Sequence, residues 1–530
     1  MRKRVHTDEN FRMIQSVIPI VLSIILFLIS AMPVFSDVKL PGIFGNNMVL
    51  QQNMQIPIWG TADPGEKVTV MIDGKRFENK AGKDGCWMVK LKKMKYGGPY
   101  TMTVQGKNNI SYSGILIGEV WICSGQSNMA WTIGNVTDID SEVTKANLPE
   151  IRMITINRIS KETPQNDFPG NTPQWVVCDP ETVKKFSAVG FFFGKVLHQE
   201  LQVPIGLIHS SWGGSVAEAW TSYKILESKK ELKPIVENLD ELKANYPGAK
   251  EQYDKQIADQ QKARAEGKQI TTYILPPRGP ETRDWPSGLY NAMIYPMIPY
   301  AIKGVIWYQG ESNSVRAWQY RTLFPAMMQN WRKDWKQGNF PFLYVQLANW
   351  ETESTGVTRG WGSWPELREA QTMTLKFPKT AMAVTIDIGN PENIHPNNKW
   401  DVGYRLALGA LHVAYKRNIV YSGPIYKSMK KNGDTIRINF DYVADGLMTK
   451  NGGQISGFEI AGEDRVFHKA TANIEGNCVV VTSHEVPKPE AVRYGWDDNP
   501  ECNLFSTAGL PASPFRTDSW PGVTEGILKP

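Results

Sequence analysis

The chain reads as an α/β protein, a doubly wound parallel sheet with flanking β-rich, sandwich-like regions. Three observations lead there. Between about residues 114 and 417, short apolar runs alternate with amphipathic stretches; turn-punctuated apolar runs come before them; and strand-and-turn sequence returns from about residue 418. At 530 residues and 41% hydrophobic, the chain has enough apolar surface for more than one core.

The N-terminus carries Arg2, Lys3 and Arg4, then an apolar stretch from Ile14 to Val34 and the small residue Ser36. This is the pattern of a signal peptide over 1–36, with an uncleaved membrane anchor as the alternative because the run is close to spanning length. Either way the remainder is expected to be exported, to a periplasmic or extracellular location, with no stable membrane partner after cleavage. The net charge of +6 is spread without a basic block, which argues against nucleic-acid binding. Five cysteines, odd in number and without a Cys-x-x-Cys pair, form neither a disulfide framework nor a zinc site.

Over 37–113, Ile56-Pro57-Ile58-Trp59, Asp63-Pro64-Gly65 and Val68–Ile72 have the spacing of a small antiparallel sandwich, for which packing is a better role than sugar binding. From 114 to 417 five runs read as buried strands: Val120–Cys123, Ile205–Ile208, Val305–Tyr308, Phe342–Val345 and Ala383–Ile386. Ala188–Leu201, Tyr320–Trp335 and Val402–Val413 read as helices between them. The charged stretch 222–269, with Leu232, Ile235, Leu239 and Leu242 at helical spacing, predicts an inserted helical pair. The region 418–530 reads as β-rich, with a tail returning towards the central domain.

Ligands of such a sheet bind beyond the carboxyl ends of its strands, so strand-end loops are where chemistry is expected. The run Val120–Cys123 leads into Ser124-Gly125-Gln126-Ser127-Asn128-Met129, a glycine-containing turn that would present the Ser127 hydroxyl at the crevice. The alternative is an ordinary loop serine, and the Gly-x-Ser-x-Gly elbow is absent. Ser210–Ser215 holds the pair Gly213-Gly214, whose N–H groups could approach an oxyanion, and Trp307–Asn313 adds amide side chains at a third strand end. The loop Glu392-Asn393-Ile394-His395-Pro396 supplies a histidine suited to general-base work, with His209 as its competitor.

Taken in order, Gly125–Met129, Trp212-Gly213-Gly214 with Glu218-Ala219-Trp220, Trp307–Asn313, Ile394-His395-Pro396, Val492–Trp496 and Gly509–Arg516 resemble the sialate O-acetylesterase family of the SGNH (GDSL-like) hydrolase superfamily. The resemblance implies an SGNH-type sheet and a serine esterase that removes O-acetyl groups from sialic acids. It implies Ser127 as nucleophile and His395 as base, with oxyanion donors from Ser127 and from Gly213 or Gly214. The superfamily's Gly-x-Asn-Asp block is missing, which makes Gln309 the candidate amide donor. Gln126, Asn128, Glu311 and Asn313 would support the loops. Glu392, three residues before His395, stands where many members carry Asp and would orient the imidazole, with a backbone carbonyl or Asp387 as alternatives. No cofactor or metal is required, and the partner is an O-acetylated sugar.

The sugar could stack on Trp131, Trp212, Trp307, Trp350, Trp361, Trp364 or Trp496, and Arg359, Arg368 or Arg405 could pair with a sialic carboxylate. Competing readings are an acetyl esterase for xylan or another polysaccharide, and a non-catalytic carbohydrate-binding protein.

Overall fold

The computed structural model describes residues 37–137, 139–270, 274, 276–351 and 362–529, with the side chain of Asp140 left out. The signal segment 1–36, Arg359 and Trp361 lie outside the described residues.

The N-terminal strands are β1 (Val49–Gln51), β2 (Ile56–Thr61), β3 (Lys67–Ile72), β4 (Lys75–Lys80), β5 (Cys86–Leu91), β6 (Gly97–Gln105) and β7 (Asn109–Gly125). β2 pairs with β5, while β4, β3, β6 and β7 pair antiparallel in that order. The sequence boundary at 113 falls inside β7. Its first half completes the N-terminal sheet against β6, and its second half, from Glu119, pairs in parallel with β10 (Ile205–Ser211). One strand therefore serves both regions. The buried Glu119 carboxylate at this junction accepts hydrogen bonds from Gln51 and Gln52 at 3.0 and 2.8 Å.

The central sheet also contains β8 (Leu148–Thr155), β9 (Val176–Cys178), β11 (Gly304–Tyr308), β12 (Phe342–Val345) and β13 (Thr380–Ala383), in the order β13-β12-β11-β7-β10-β8-β9. All neighbours are parallel except β8 and β9. Side chains alternate across a strand, so both faces of this sheet must be covered. Val120 and Ile122 of β7, Val305 and Trp307 of β11, and Phe342 and Tyr344 of β12 enter one core; Trp121, Cys123, Ile306, Tyr308, Leu343 and Val345 enter the other. This double burial is why the strands appear as unbroken apolar runs. The last strand lies three residues earlier than the run Ala383–Ile386 suggested, because β13 pairs from Thr380 with Phe342.

Helix α1 (Ser127–Ala130) follows β7 directly. α2 (Ala188–Leu201) and the last helix of the domain, Lys399–Val413, cover the Trp121 face. Ser187 caps α2 by accepting from Gly190 N–H at 3.1 Å, and its hydroxyl donates to Met129 O at 2.6 Å, tying α2 to α1.

The expected helical insertion contains a short helix, Tyr223–Ser228, a tight turn at Lys233–Ile235 and one long helix, α3 (Leu239–Ala265). Leu232 and Ile235 are buried ahead of it, and no residue within it is buried. It is a solvent-bathed helix with acids at its start (Asp240, Glu241) and bases at its end (Lys262, Arg264), which suits the helix dipole. α4 (Ala317–Trp335) packs on the Trp307 face and α5 (Ser363–Met373) lies beside it.

Beyond Asn418, Ile425–Asn432, Thr435–Asp441, Cys478–Thr482 and Thr471–Glu475 form one antiparallel sheet. Phe467–Lys469, Phe458–Ala461, Ala491–Tyr494 and Phe515–Arg516 form another, and the two enclose their own core. The tail returns to α5, where Glu366 accepts from the N–H of Val523 and Thr524 at 2.5 and 3.1 Å. All five cysteines are free thiols.

Gly125 ends β7 at φ +137°, and a Cβ there would lie 2.1 Å from Tyr308 O of β11. Gly125→Ala is expected to destabilise the fold by about 2 kcal/mol or more, since it adds a positive-φ penalty to a backbone clash. A denaturation midpoint equal to wild type would refute this.

Candidate active site

The parallel register brings three strand ends level, with Gly125 of β7 between Ser211 of β10 and Tyr308 of β11. The loops that follow are laced together. Gln126 N–H donates to Tyr308 O at 2.9 Å, and its side-chain oxygen accepts from the N–H of Gly310 and Ser312 at 3.4 and 3.2 Å. Trp212 N–H donates to Gly125 O at 3.2 Å. Within this buried frame Ser127, Trp212, Gly213 and Gly214 are partly exposed, facing the crevice.

Ser127 opens α1, so its own N–H has no intrahelical acceptor. A Cβ on Gly213 would lie 3.4 Å from Ser127 Cβ, which places the Gly213 backbone directly against the serine. Among the described residues neither Ser127 N–H nor Gly213 N–H has an acceptor, so both are open to an oxygen arriving beside Ser127. Gly214, at φ +74°, makes the turn that follows, and the guanidinium of Arg283 occupies the place a Cβ would take.

Gln309 does not fit the role of amide donor. It is fully buried; its amide N–H groups go to Asn313 Oδ1 at 2.6 Å and Ser215 O at 3.3 Å, and its oxygen accepts from Tyr320 at 2.9 Å. Nothing remains for an oxyanion, and the expectation is corrected. Asn313 is committed too, accepting from Ala217 N–H at 2.9 Å and donating to Glu218 at 2.9 Å. Burial pushes the Glu218 carboxyl up, but the adjacent charges of Arg316 and Arg278 outweigh it and hold it below the usual range. Gln309, Asn313, Glu218 and Arg316 therefore form a supporting layer beneath the crevice.

The histidine loop is attached to α1 from two sides. Asn128 donates from its amide to Ile394 O at 3.0 Å and to Glu311 Oε1 at 2.6 Å, and the indole of Trp131, just past α1, stacks on the His395 ring at 5.0 Å and 19°. His395 is only partly buried, and no hydrogen bond joins its ring to Ser127 Oγ; catalytic hydrogen bonds of this kind commonly tighten only around the reacting group. Helix α6 (Lys399–Val413) begins four residues later, capped by Asn398, which accepts from Asp401 N–H at 3.0 Å.

The buried Lys399 ammonium donates to Asn128 Oδ1, and burial drives its pKa down to about 7, opposed by the charge of Glu311. Burial likewise raises Glu311, whose Oε2 has no hydrogen-bond partner among the described residues. This lysine was missed in the sequence; its one signal was its position four residues after His395, one helical turn into the site.

Glu392 is exposed, with no hydrogen bond to the His395 ring. Asp387 is no substitute, since it forms a two-pronged ion pair with Arg405 at 2.6 and 2.8 Å and lines a separate cavity of about 610 Å³ with Asn390, Asn398 and Lys450. Arg368 is buried and donates to the carbonyls of Leu347, Ala348, Asp497 and Asp498. Neither Arg405 nor Arg368 can receive a ligand carboxylate. His209, the rival base, is fully buried with Nε2 2.6 Å from Ser211 Oγ, and burial holds its pKa down to about 3. Trp307 and Trp364 are core residues; Trp131, stacked on His395, and Trp212, bonded to Gly125 O, are partly exposed.

Residues 117–271 and 266–411 match the family model described as carbohydrate esterase, sialic acid-specific acetylesterase. The chain belongs to this family. It is similar to the sialate O-acetylesterase of Homo sapiens, with 30% identity covering 91% of this chain and 94% of the relative, and to that of Mus musculus, with 31% identity covering 89% and 92%. Among solved structures it resembles a carbohydrate acetylesterase from Xanthomonas citri, with a TM-score of 0.78 and 38% identity, covering 91% of this chain and all of that one. The protein is thus a carboxylic ester hydrolase of the sialic acid-specific acetylesterase family.

Taken as the general base of such an esterase, as its position implies, His395 would set the pH range. Partial burial first, and the Lys399 charge second, lower its pKa below 6.5, so the ring stays neutral into mildly acidic solution. A neutral base is the active form; kcat/KM should therefore fall on acidification with a midpoint below 6.5. A profile whose acidic midpoint lies at or above 6.5 would contradict this assignment.

Proposed function

We propose that the protein removes O-acetyl groups from sialic acids through an acetyl-enzyme formed on Ser127. The observation that carries this reading is the joint anchoring of the His395 loop and the Gly213 loop on the two flanks of Ser127. The family description and the names of the relatives support the substrate class.

His395, neutral, takes the proton from Ser127 Oγ as the oxygen attacks the acetyl carbonyl. The N–H groups of Ser127 and Gly213 hold the resulting oxyanion, and an amide side chain is not required. Collapse expels the sugar oxygen, which takes the proton from His395. Water, deprotonated by the same ring, then attacks the acetyl-enzyme; the second tetrahedral intermediate collapses to acetate and free Ser127. Trp131 fixes the plane of the imidazole and Asn128 its distance from α1, so the base is oriented by packing rather than by a carboxylate bonded to it.

We also infer export, from Arg2–Arg4, the apolar run Ile14–Val34 and Ser36; no described helix is long and apolar enough to cross a membrane. N-terminal sequencing of secreted protein should begin close to residue 37, and an intact Met1 in exported material would overturn cleavage.

Acetate release from O-acetylated sialic acid, measured beside acetylated xylan, tests the reading directly, and faster turnover of xylan would displace it. Ser127→Ala and His395→Ala are each expected to lower turnover by at least about 10⁴-fold with the fold intact. Glu392→Gln is expected to cost less than about tenfold, because an exposed carboxylate without a bond to the ring is screened by water. A hundredfold loss in Glu392→Gln would instead establish a triad.

A further inference from the structure

Arg283 sits at the lip of the crevice, and the mechanism does not use it. A Cβ on Gly214 would lie 2.5 Å from its Cζ and 2.8 Å from each terminal nitrogen, so the guanidinium lies over the loop whose preceding residue, Gly213, abuts Ser127. Among the described residues Arg283 has no hydrogen-bond or ion-pair partner, and it is half-buried. Of the other arginines nearby, Arg316 pairs with Glu218, and Arg278 donates from Nε to Asp284 O at 3.3 Å and is answered by the charges of Glu218 and Asp284, although its Nη2 makes no hydrogen bond among the described residues.

The backbone that carries Arg283 is a tight, well-bonded turn. Thr282 N–H donates to Gly279 O at 2.9 Å, its hydroxyl reaches Gly279 O at 2.7 Å and Asp284 Oδ1 at 2.6 Å, and Trp285 N–H returns to Thr282 O at 3.3 Å. Ser287 N–H then locks the segment to Glu218 O at 3.0 Å. A cation on a fixed pedestal, without an internal counter-charge, is arranged for an anion supplied from outside. A second cation adds to the field: Arg158 donates from Nε to Ser211 O at 3.2 Å and, among the described residues, pairs with no carboxylate.

We propose that Arg283 receives the carboxylate of the acetylated sugar and is the residue that makes the crevice prefer acidic sugars to neutral ones. This rests on the reading of the protein as a sialate esterase. In a sialic acid the carboxylate and the acetylated hydroxyls occupy different ends of one small molecule. Its receptor must therefore stand near the nucleophile without touching it, as the residue over Gly214 does. The planar fork of a guanidinium matches a carboxylate with two parallel hydrogen bonds, which a lysine cannot copy. Neutral acetylated polymers have no group to fill this place.

The test compares kcat/KM on an O-acetylated sialic acid with that on its methyl ester, in which the carboxylate is masked. Wild-type protein should favour the acid by roughly ten- to a hundredfold, the range of a charge-assisted hydrogen-bonded pair. Arg283→Gln should bring this ratio close to one, chiefly through a higher KM for the acid, and Arg283→Lys should retain part of it. Added salt should weaken the wild-type preference. A selective wild type whose ratio survives in Arg283→Gln would overturn the assignment, as would a wild-type ratio near one; should Arg283→Gln not fold, the wild-type ratio and Arg283→Lys decide. Failure to release acetate from O-acetylated sialic acid at all would instead overturn the proposed function.

Discussion

One amide side chain holds the crevice together. Asn128 lies one residue past Ser127, and its two ends bond to Glu311, Ile394 O and Lys399, which come from the loop after β11, the histidine loop and the first turn of α6. Each partner belongs to a segment far away in sequence, and each is needed nearby. An alanine here would leave a carboxylate and an ammonium buried without their shared partner, the costly kind of vacancy in a protein interior. The same contacts explain why Lys399 and Glu311 coexist in burial: both are pushed towards their neutral forms, and the amide can serve either form by presenting an acceptor to one and a donor to the other.

Around that hub the proposed oxyanion site is built almost entirely from backbone. The chain must pass close to Tyr308 O at Gly125 and close to Ser127 at Gly213, and side chains at either place would fill the space that the substrate or the neighbouring strand needs. Polar side chains from the third loop go inward instead, where Gln309 and Asn313 satisfy one another and the buried Glu218–Arg316 pair. A fully satisfied polar layer of this kind fixes the loops above it more firmly than apolar packing, because a shift of any member strands another.

Much of this was legible in the residues. β7, β10, β11 and β12 announced themselves as apolar runs because both faces are buried, and Ser127 and His395 could be placed at strand ends by counting. Gln309 misled for a geometric reason. Side chains alternate along β11, so the position after Tyr308 turns back to the side of Trp307, where Tyr320 of α4 waits, and away from the crevice. The helical insertion is dominated by one long helix, α3, which has no buried residue and carries Pro247 within it, beside the short helix Tyr223–Ser228. Arg283 carried no signal at all: it falls in an aperiodic stretch, and its relation to Gly214 exists only in three dimensions.

Several of the described arginines differ in how their charge is answered. Arg368 and Arg332 are buried and surrounded by backbone carbonyls, and Arg405 and Arg316 meet carboxylates. Burial demands such partners, since an unanswered interior charge costs several kcal/mol, on the order of the stability of a whole domain. Half-buried Arg283 escapes that demand because water solvates the exposed side of its guanidinium. Water held in this way can be exchanged for a ligand oxygen, whereas the carbonyls around Arg368 belong to the fold. Partial exposure beside the proposed nucleophile is therefore what would separate a recognition arginine from a structural one, and in this crevice Arg283 meets both conditions.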